Sequence, residues 1–211
     1  MIDLACQKIG AISVPIYTSL TSEEIRYILK DCGAKFLAVS TKSLFEKIPP
    51  IQKSCEALQG IIAMDAAVSL RQNESAIPIY RLTEFEREGS ETALRADSIA
   101  PDQVASIIYT SGTTGFPKGV MLTHSNFVQN AIFCKQAFPM SQNDVHLSFL
   151  PLSHVFERTV GYYLMLLIGA TVAYAETMDT VSQNMLEVHP TFLLGVPRFY
   201  EKVQNRVKES L

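Results

Sequence analysis

A polar, glycine-containing loop lies between two apolar segments at residues 107–122, and it constrains the fold more than any other feature. Residues 107–109 are apolar, residues 110–119 carry four hydroxyls, three glycines and a lysine, and residues 120–122 are apolar again. Because the segment after the loop has the pattern of a strand, the sequence predicts a hairpin that joins two strands. A Walker A loop is excluded, since that motif has the form G-x-x-x-x-G-K-[ST] and opens a helix.

The residue types in this loop suit a polyphosphate. Glycine at positions 112, 115 and 119 lets the backbone approach a ligand closely, and successive amide N–H groups then form a concavity for anions. The hydroxyls add hydrogen-bond donors without bulk, and the lysine adds a mobile positive charge. A glycine- and threonine-rich hairpin without a ligand is the alternative on composition alone. The residues that we expect to hold phosphate are Thr110, Ser111, Gly112, Thr113, Thr114, Gly115 and Lys118.

Strand-like and helix-like segments alternate along the rest of the chain. Thr21 and Glu24 form a capping-box pattern at the start of an amphipathic helix, and Gly33 is placed to end it. The alternation predicts an α/β fold with largely parallel sheets flanked by helices, in two parts, residues 1–100 and 101–211. Strands are predicted at residues 12–17, 35–39, 60–64, 104–110, 120–123, 145–149, 171–175 and 191–194. Further helices are predicted at residues 43–58, 125–138, 155–168 and 179–187 and from residue 197 onward, with Ser125 as the N-cap of the second. Residues 65–104 are expected to form surface loops and short helices.

Charge and cysteine usage exclude several classes of protein. The formal net charge is -3 and the basic residues are scattered, so the sequence has no basic patch for nucleic acid. The four cysteines form no C-x-x-C pair, and we interpret them as reduced, mostly buried thiols of a cytoplasmic protein. The uncharged run at residues 159–175 is shorter than the ~20 residues of a spanning helix, and Gly169 divides it into a helix and a strand. Peripheral contact with a membrane stays open.

The string YTSGTTGFPKGV, residues 109–120, resembles the phosphate-binding signature of the adenylate-forming enzymes. Three further segments resemble the long-chain fatty acid–CoA ligase branch of that superfamily: GAISVPIYTSLTSEEIRYILKDCGAK, LSFLPLSHVFER and GVPRFYEKV. The resemblance covers nearly all 211 residues. It implies an incomplete N-terminal domain of an acyl-CoA synthetase-like fold.

The resemblance also implies an activity and its co-substrates. Such enzymes join a carboxylic acid to ATP, which gives an acyl-adenylate, and then pass the acyl group to coenzyme A. We therefore expect a fatty acid and ATP as ligands, with Mg²⁺ as cofactor and Thr110 among its ligands. Lys118 is expected to clamp charge, and His154 to line the acyl pocket as a second catalytic residue. The alternatives are a surface lysine and a buried histidine satisfied by a backbone carbonyl, whereas His146 and His189 are expected to be structural.

Some motifs of the family are missing from these residues. No Y-G-x-T-E string, whose glutamate ligates Mg²⁺ in the family, occurs in the sequence. We therefore expect an internal piece that makes no acyl-CoA alone, with the C-terminal portion as a separate chain among the open options. Three alternatives remain: a ligase for an aryl, medium-chain or amino acid, a non-catalytic relic or partner subunit, and a generic nucleotide-binding module.

Overall fold

The computed structural model describes residues 1–64, 77–88, 99–110 and 116–209. The chain divides into two compact units, Met1–Leu122 and Thr123–Leu211. The sequence predicts a different division, into residues 1–100 and 101–211 as two parts of a single domain. That division stays a prediction.

The first unit contains a parallel sheet of three strands, β1 (Phe36–Val39), β2 (Gly60–Ala63) and β3 (Ile79–Arg81), in that order. Short helices connect or flank these strands, and apolar side chains from α2 (Ser22–Asp31), the strands and the segment after α3 (Lys42–Phe45) form its core. The parallel pairing confirms the expectation from the alternating pattern, although β3 lies in a region predicted to contain only loops and short helices. The helices are α1 (Ile2–Ile9), α2 (Ser22–Asp31), α3 (Lys42–Phe45) and α4 (Leu82–Glu88).

Local chemistry fixes both ends of α2, as predicted. The Thr21 hydroxyl accepts a hydrogen bond from the Glu24 amide at 3.3 Å, and the Glu24 carboxylate accepts from the Thr21 amide at 2.8 Å. These bonds to the Thr21 amide and hydroxyl lower the pKa of Glu24, so the capping box is formed at neutral pH. Gly33 follows the helix with φ 60°, a left-handed conformation that favours glycine. The buried face is Ile25, Ile28 and Leu29.

A two-stranded sheet completes the first unit. Strand β4 (Val104–Thr110) pairs with β5 (Lys118–Thr123), and the connection, residues 111–117, is far shorter than the ~12-residue crossover that a parallel pair needs. The two strands therefore form a hairpin. The prediction that the polar loop joins two strands, and does not open a helix, is confirmed.

The second unit packs helices on a short parallel sheet. Strand β6 (Val145–Ser148) pairs in parallel with β7 (Thr171–Tyr174), and a π-helix (Glu157–Leu164) continues into α6 (Met165–Ile168) between them. Gly169, with φ 74°, ends α6, so the long uncharged run divides where predicted. No helix in the described ranges combines the length and apolar character needed to cross a bilayer. The remaining helices are α5 (His124–Ala137), α7 (Val181–Val188) and α8 (Pro197–Glu209).

Two predicted strands are reduced to single bridges. The segment 12–17 pairs only through Ser13 with Ser106, and Pro15, which has no N–H to donate, follows two residues later. The segment 191–194 pairs only through Phe192 with His146, and on the N-terminal side of this bridge the Thr191 hydroxyl, rather than a backbone carbonyl, accepts from the Val145 amide at 2.9 Å. In each segment one neighbouring hydrogen bond of the backbone ladder is therefore not made.

Two smaller expectations were also wrong. The N-cap of α5 is Thr123, and not Ser125, because the Thr123 hydroxyl accepts from the Asn126 amide at 3.1 Å while the Asn126 side chain accepts from the Thr123 amide. All four cysteines are free, but Cys55 alone is buried and the other three are partly exposed.

A buried histidine–glutamate pair links three segments of the second unit. His146 on β6 and Glu157 at the start of the π-helix are both fully buried, and His146 Nε2 lies 3.0 Å from Glu157 Oε1. His146 Nδ1 lies 3.3 Å from the Phe192 carbonyl. A Cβ at Gly161 would clash with Glu157 Oε1 and lie 2.8 Å from His146 Nε2, so only glycine leaves room for the pair. This geometry agrees with a structural role for His146.

We expect Thr21→Ala to lower the free energy of unfolding by about 1 kcal/mol, because the Glu24 amide loses its capping acceptor. Chemical denaturation monitored by circular dichroism measures the change. Thr18→Ala, which removes an exposed threonine outside any cap, is the matched control and should change stability little. Equal losses in the two variants would contradict the capping role.

We expect Glu157→Ala to lower the free energy of unfolding by about 3 kcal/mol, because it leaves the buried His146 ring without its partner. Glu157→Gln should cost less, since an amide oxygen can still accept from Nε2–H. Urea titration of both variants tests this order, with the exposed Glu176→Ala as control. A glutamine variant as unstable as the alanine variant would show that the hydrogen bond is not what stabilises this position.

Candidate functional site

The structure places the two described members of the predicted phosphate site at the two ends of the hairpin strands. Thr110 is the last residue of β4 and Lys118 is the first residue of β5, and both are exposed. The predicted ligands Ser111, Gly112, Thr113, Thr114 and Gly115 lie outside the described residues. Thr110 and Lys118 therefore stand on either side of the predicted loop, where a hydroxyl and an ammonium group are open to a ligand.

Strand β4 is held firmly below this end. Its side chains Ala105, Ile108 and Tyr109 are buried. The Ser106 hydroxyl, fully buried, donates to the Ser13 carbonyl at 2.7 Å, and the Ser13 amide donates to the Ala105 carbonyl at 3.0 Å. Thr110 thus extends from a strand whose position is fixed by core packing and by bonds to another segment of the same unit.

Gly119 has a packing role, which corrects the expectation that it gives the backbone freedom to approach a ligand. Its φ is not in the left-handed region, and a Cβ there would lie 2.8 Å from Ile107 Cγ2 and 3.1 Å from Tyr109 Cζ. The backbone of β5 therefore passes directly over the Tyr109 ring. A side chain at this position would push the two strands apart next to Lys118.

Tyr109 connects the first arm of the hairpin to helix α2. Its hydroxyl donates to Asp31 Oδ2 at 2.6 Å. Burial is the main cause that raises the pKa of Tyr109, and the hydrogen bond to Asp31 raises this pKa further. The phenol therefore stays protonated and remains a donor. Asp31 is the last residue of α2, and the bond ties the end of β4 to this helix.

Tyr27 connects the second arm to the same helix. Its hydroxyl donates to the Pro117 carbonyl at 3.1 Å, and its ring stacks on Phe116 with centroids 5.6 Å apart. Pro117 directly precedes Lys118. Sequence reasoning did not identify Tyr27 or Asp31, because neither belongs to the apolar face of α2. The available signal was a polar aromatic residue and an acid spaced four apart beside that face.

The charges around the hairpin favour an anion. Among the described residues no carboxylate forms an ion pair with Lys118, so its charge is free to meet a ligand. No cluster of three or more acidic, histidine or cysteine side chains that could hold a metal occurs in the described part of the chain. Thr110 offers one neutral oxygen. Because Mg²⁺ usually keeps several waters and takes further ligands from substrate phosphates, a single neutral protein oxygen is compatible with an ion that arrives on a polyphosphate.

His154, the second predicted catalytic residue, lies in the second unit just before the π-helix. Its side chain is exposed, so the alternative of a buried structural histidine is wrong. Its Nδ1 accepts from the Phe156 amide at 3.2 Å, and its own amide donates to the Pro151 carbonyl at 2.9 Å. With Nδ1 used as an acceptor, the neutral ring carries its proton on Nε2, which is left available as a donor.

Comparison with known proteins agrees with the sequence resemblance. The family described as "AMP-binding enzyme" matches residues 1–210. The chain is 34% identical over 209 residues to a long-chain-fatty-acid–CoA ligase, ACSBG1, of Rattus norvegicus. The alignment covers 95% of this chain and 29% of that protein. It is 30% identical to the long chain acyl-CoA synthetase 1 of Arabidopsis thaliana, over 98% of this chain and 33% of that protein.

Solved structures show the same fold. The long-chain-fatty-acid–CoA ligase FadD1 of Archaeoglobus fulgidus superposes with a TM-score of 0.82 at 27% identity, over 99% of this chain and 39% of that chain. The adenylation domain of a carboxylate reductase from Mycobacterium chelonae also has a TM-score of 0.82 at 27% identity, over 100% of this chain and 36% of that chain. The chain thus spans about a third of the length of the relatives it matches, and over that span it belongs to the AMP-binding enzyme family.

Proposed function

We propose that this chain supplies the triphosphate-binding part of a ligase that activates a long-chain fatty acid with ATP and transfers it to coenzyme A. The observation that carries the proposal is the hairpin whose strands end at Thr110 and begin at Lys118. Both residues are exposed, and their neighbours Tyr109 and Pro117 are hydrogen-bonded to α2. Membership of the AMP-binding family supports a nucleotide as the ligand.

The chemistry of the first step matches what these residues offer. The carboxylate of the substrate is already ionised at neutral pH and is itself the nucleophile, so this step needs no general base. The protein has instead to hold the triphosphate in line with the attacking oxygen and to offset negative charge on the leaving pyrophosphate. Lys118 would supply that charge from the start of β5, and the Thr110 hydroxyl would donate or accept at the opposite end of the loop.

Mg²⁺ fits this site as an ion that the phosphates bring with them. When bound, it would neutralise charge on the phosphate oxygens. The Thr110 hydroxyl would be the described protein ligand, and the protein's own task remains the placement of that hydroxyl by β4.

His154 is proposed to act at the acyl side of the reaction. Its Nε2–H is free of the intramolecular hydrogen bond that occupies Nδ1, so it can donate to a carboxylate or acyl oxygen. Phe156, two residues along the chain, is exposed, and an apolar ring beside a single donor suits an acyl chain that ends in a carboxylate.

The long-chain substrate is favoured over other carboxylic acids by the relatives. The two curated relatives described above are named as long-chain ligases or synthetases, and so is the structure from Archaeoglobus fulgidus. An ATP-bound enzyme, MatB of Rhodopseudomonas palustris, shares the fold at 26% identity with a TM-score of 0.72. Aryl and medium-chain acids are the competing substrate class, and a substrate panel separates them.

We expect Lys118→Ala to weaken binding of ATP·Mg²⁺ and of tripolyphosphate about tenfold or more, because a charge-assisted hydrogen bond is lost. Thermal shift gives the first readout: ligand that stabilises the wild type should not stabilise the variant. Lys118→Arg should bind more tightly than Lys118→Ala. Lys135→Ala, on the surface of α5, is the charge-matched control and should bind as the wild type does.

The activity itself is measured on the full-length product of the gene that encodes this chain. We expect pyrophosphate release that depends on a long-chain fatty acid, with an acyl-adenylate trapped when coenzyme A is omitted. If aryl or medium-chain acids support pyrophosphate release and long-chain acids do not, the proposed substrate class is wrong. Retention of full activity in Lys118→Ala would remove the phosphate role from this hairpin.

A further inference from the structure

We propose that Tyr27 and Asp31 of helix α2 are positioning residues for the phosphate-binding hairpin: together they fix both of its arms and so set its affinity for a polyphosphate. This inference rests on the proposed function. Neither residue belongs to the loop itself, and neither would touch the reacting atoms.

The two residues act from one face of one helix. Positions 27 and 31 are four apart, the spacing that places side chains on the same face of an α-helix one turn from each other. Tyr27 reaches Pro117 and Phe116 on the arm that leads into β5, whereas Asp31 accepts from Tyr109 on the arm that ends β4. A single helical turn therefore contacts both sides of the hairpin end.

The hairpin needs such support because it is a two-stranded sheet. An isolated pair of strands is at best marginally stable in water. The bonds between Ser13, Ala105 and Ser106 hold β4 several residues below the loop, which leaves the last residues before and after the loop to be held by other contacts. The tyrosine hydroxyls supply these contacts, one on each side.

Burial and rigidity make α2 a suitable anchor. Ile25, Ile28 and Leu29 are buried in the core of the first unit, and the capping box and Gly33 define both helix ends. The Tyr109 ring is itself 6% exposed and packs under Gly119. A ligand that binds between pre-positioned arms has less conformational entropy to remove than one that must first order them, which increases affinity.

The test removes one oxygen at a time. Tyr27→Phe deletes the bond to Pro117 and keeps the ring stacked on Phe116, and Tyr109→Phe deletes the bond to Asp31 and keeps the ring under Gly119. We expect each change to weaken tripolyphosphate binding about threefold, and the double variant about tenfold. Asp31→Asn keeps an acceptor for Tyr109 and should bind nearly as the wild type does, whereas Asp31→Ala should resemble Tyr109→Phe.

Calorimetric titration with tripolyphosphate measures affinity, and hydrogen–deuterium exchange measures order in the hairpin. If hydrogen–deuterium exchange becomes faster only in peptides from residues 107–123, the positioning role is supported. This criterion also applies to a variant whose melting temperature falls. Acceleration spread evenly over both units would mean that the tyrosines only stabilise the fold, and would overturn the inference. Tyr200→Phe, on α8 in the second unit, is the matched control and should change neither readout.

Two results distinguish this inference from the proposed function. If Lys118→Ala loses tripolyphosphate while both tyrosine variants bind as the wild type does, the phosphate role stands and the positioning role is wrong. If the wild type does not bind tripolyphosphate, or binds it as well without Lys118, both are wrong.

Discussion

The contact between the end of the β4–β5 hairpin and helix α2 is the interaction on which the candidate site depends. Tyr109 lies at its centre: the hydroxyl bonds to Asp31, and the ring supports the backbone of Gly119. The first contact fixes one arm to the helix, and the second fixes the distance between the arms. Lys118 is the neighbour of Gly119, so the position of its ammonium group follows from how closely β5 can approach a tyrosine ring.

Under the proposed function, this arrangement would let a loop without a helix behind it bind phosphate. A Walker-type loop uses the amides and dipole of the helix that it opens. The chain described above has a strand after its loop, so no such dipole is available there. Positive charge has to come from a side chain, and that side chain has to be held by tertiary contacts. Lysine at the start of β5, with α2 packed against both arms, meets those two requirements.

Features that rest on local chemistry could be predicted from the sequence. The capping box of α2, the glycines that end α2 and α6, and the strands on both sides of the loop were all predicted, since each depends on residues within a few positions. The two tyrosine hydrogen bonds that join α2 to the hairpin could not be predicted in this way. They join residues 78 and 90 positions apart, and a half-buried tyrosine beside an apolar helix face does not reveal its partner. Glu157 is a similar case, because a charged residue at a helix start usually faces water.

Two of the differences from prediction involve a threonine hydroxyl that accepts a hydrogen bond from a backbone amide. Thr123 caps α5 because its hydroxyl reaches the Asn126 amide, although Ser125, two positions later, has equally good capping chemistry. Thr191 takes the Val145 amide with its hydroxyl on the N-terminal side of the single bridge that Phe192 makes. Gly119 shows a different limit for the site itself, which is packing. Its residue type suggested freedom near a ligand, but the nearby tyrosine ring decides its role, and only the folded structure places that ring beneath it.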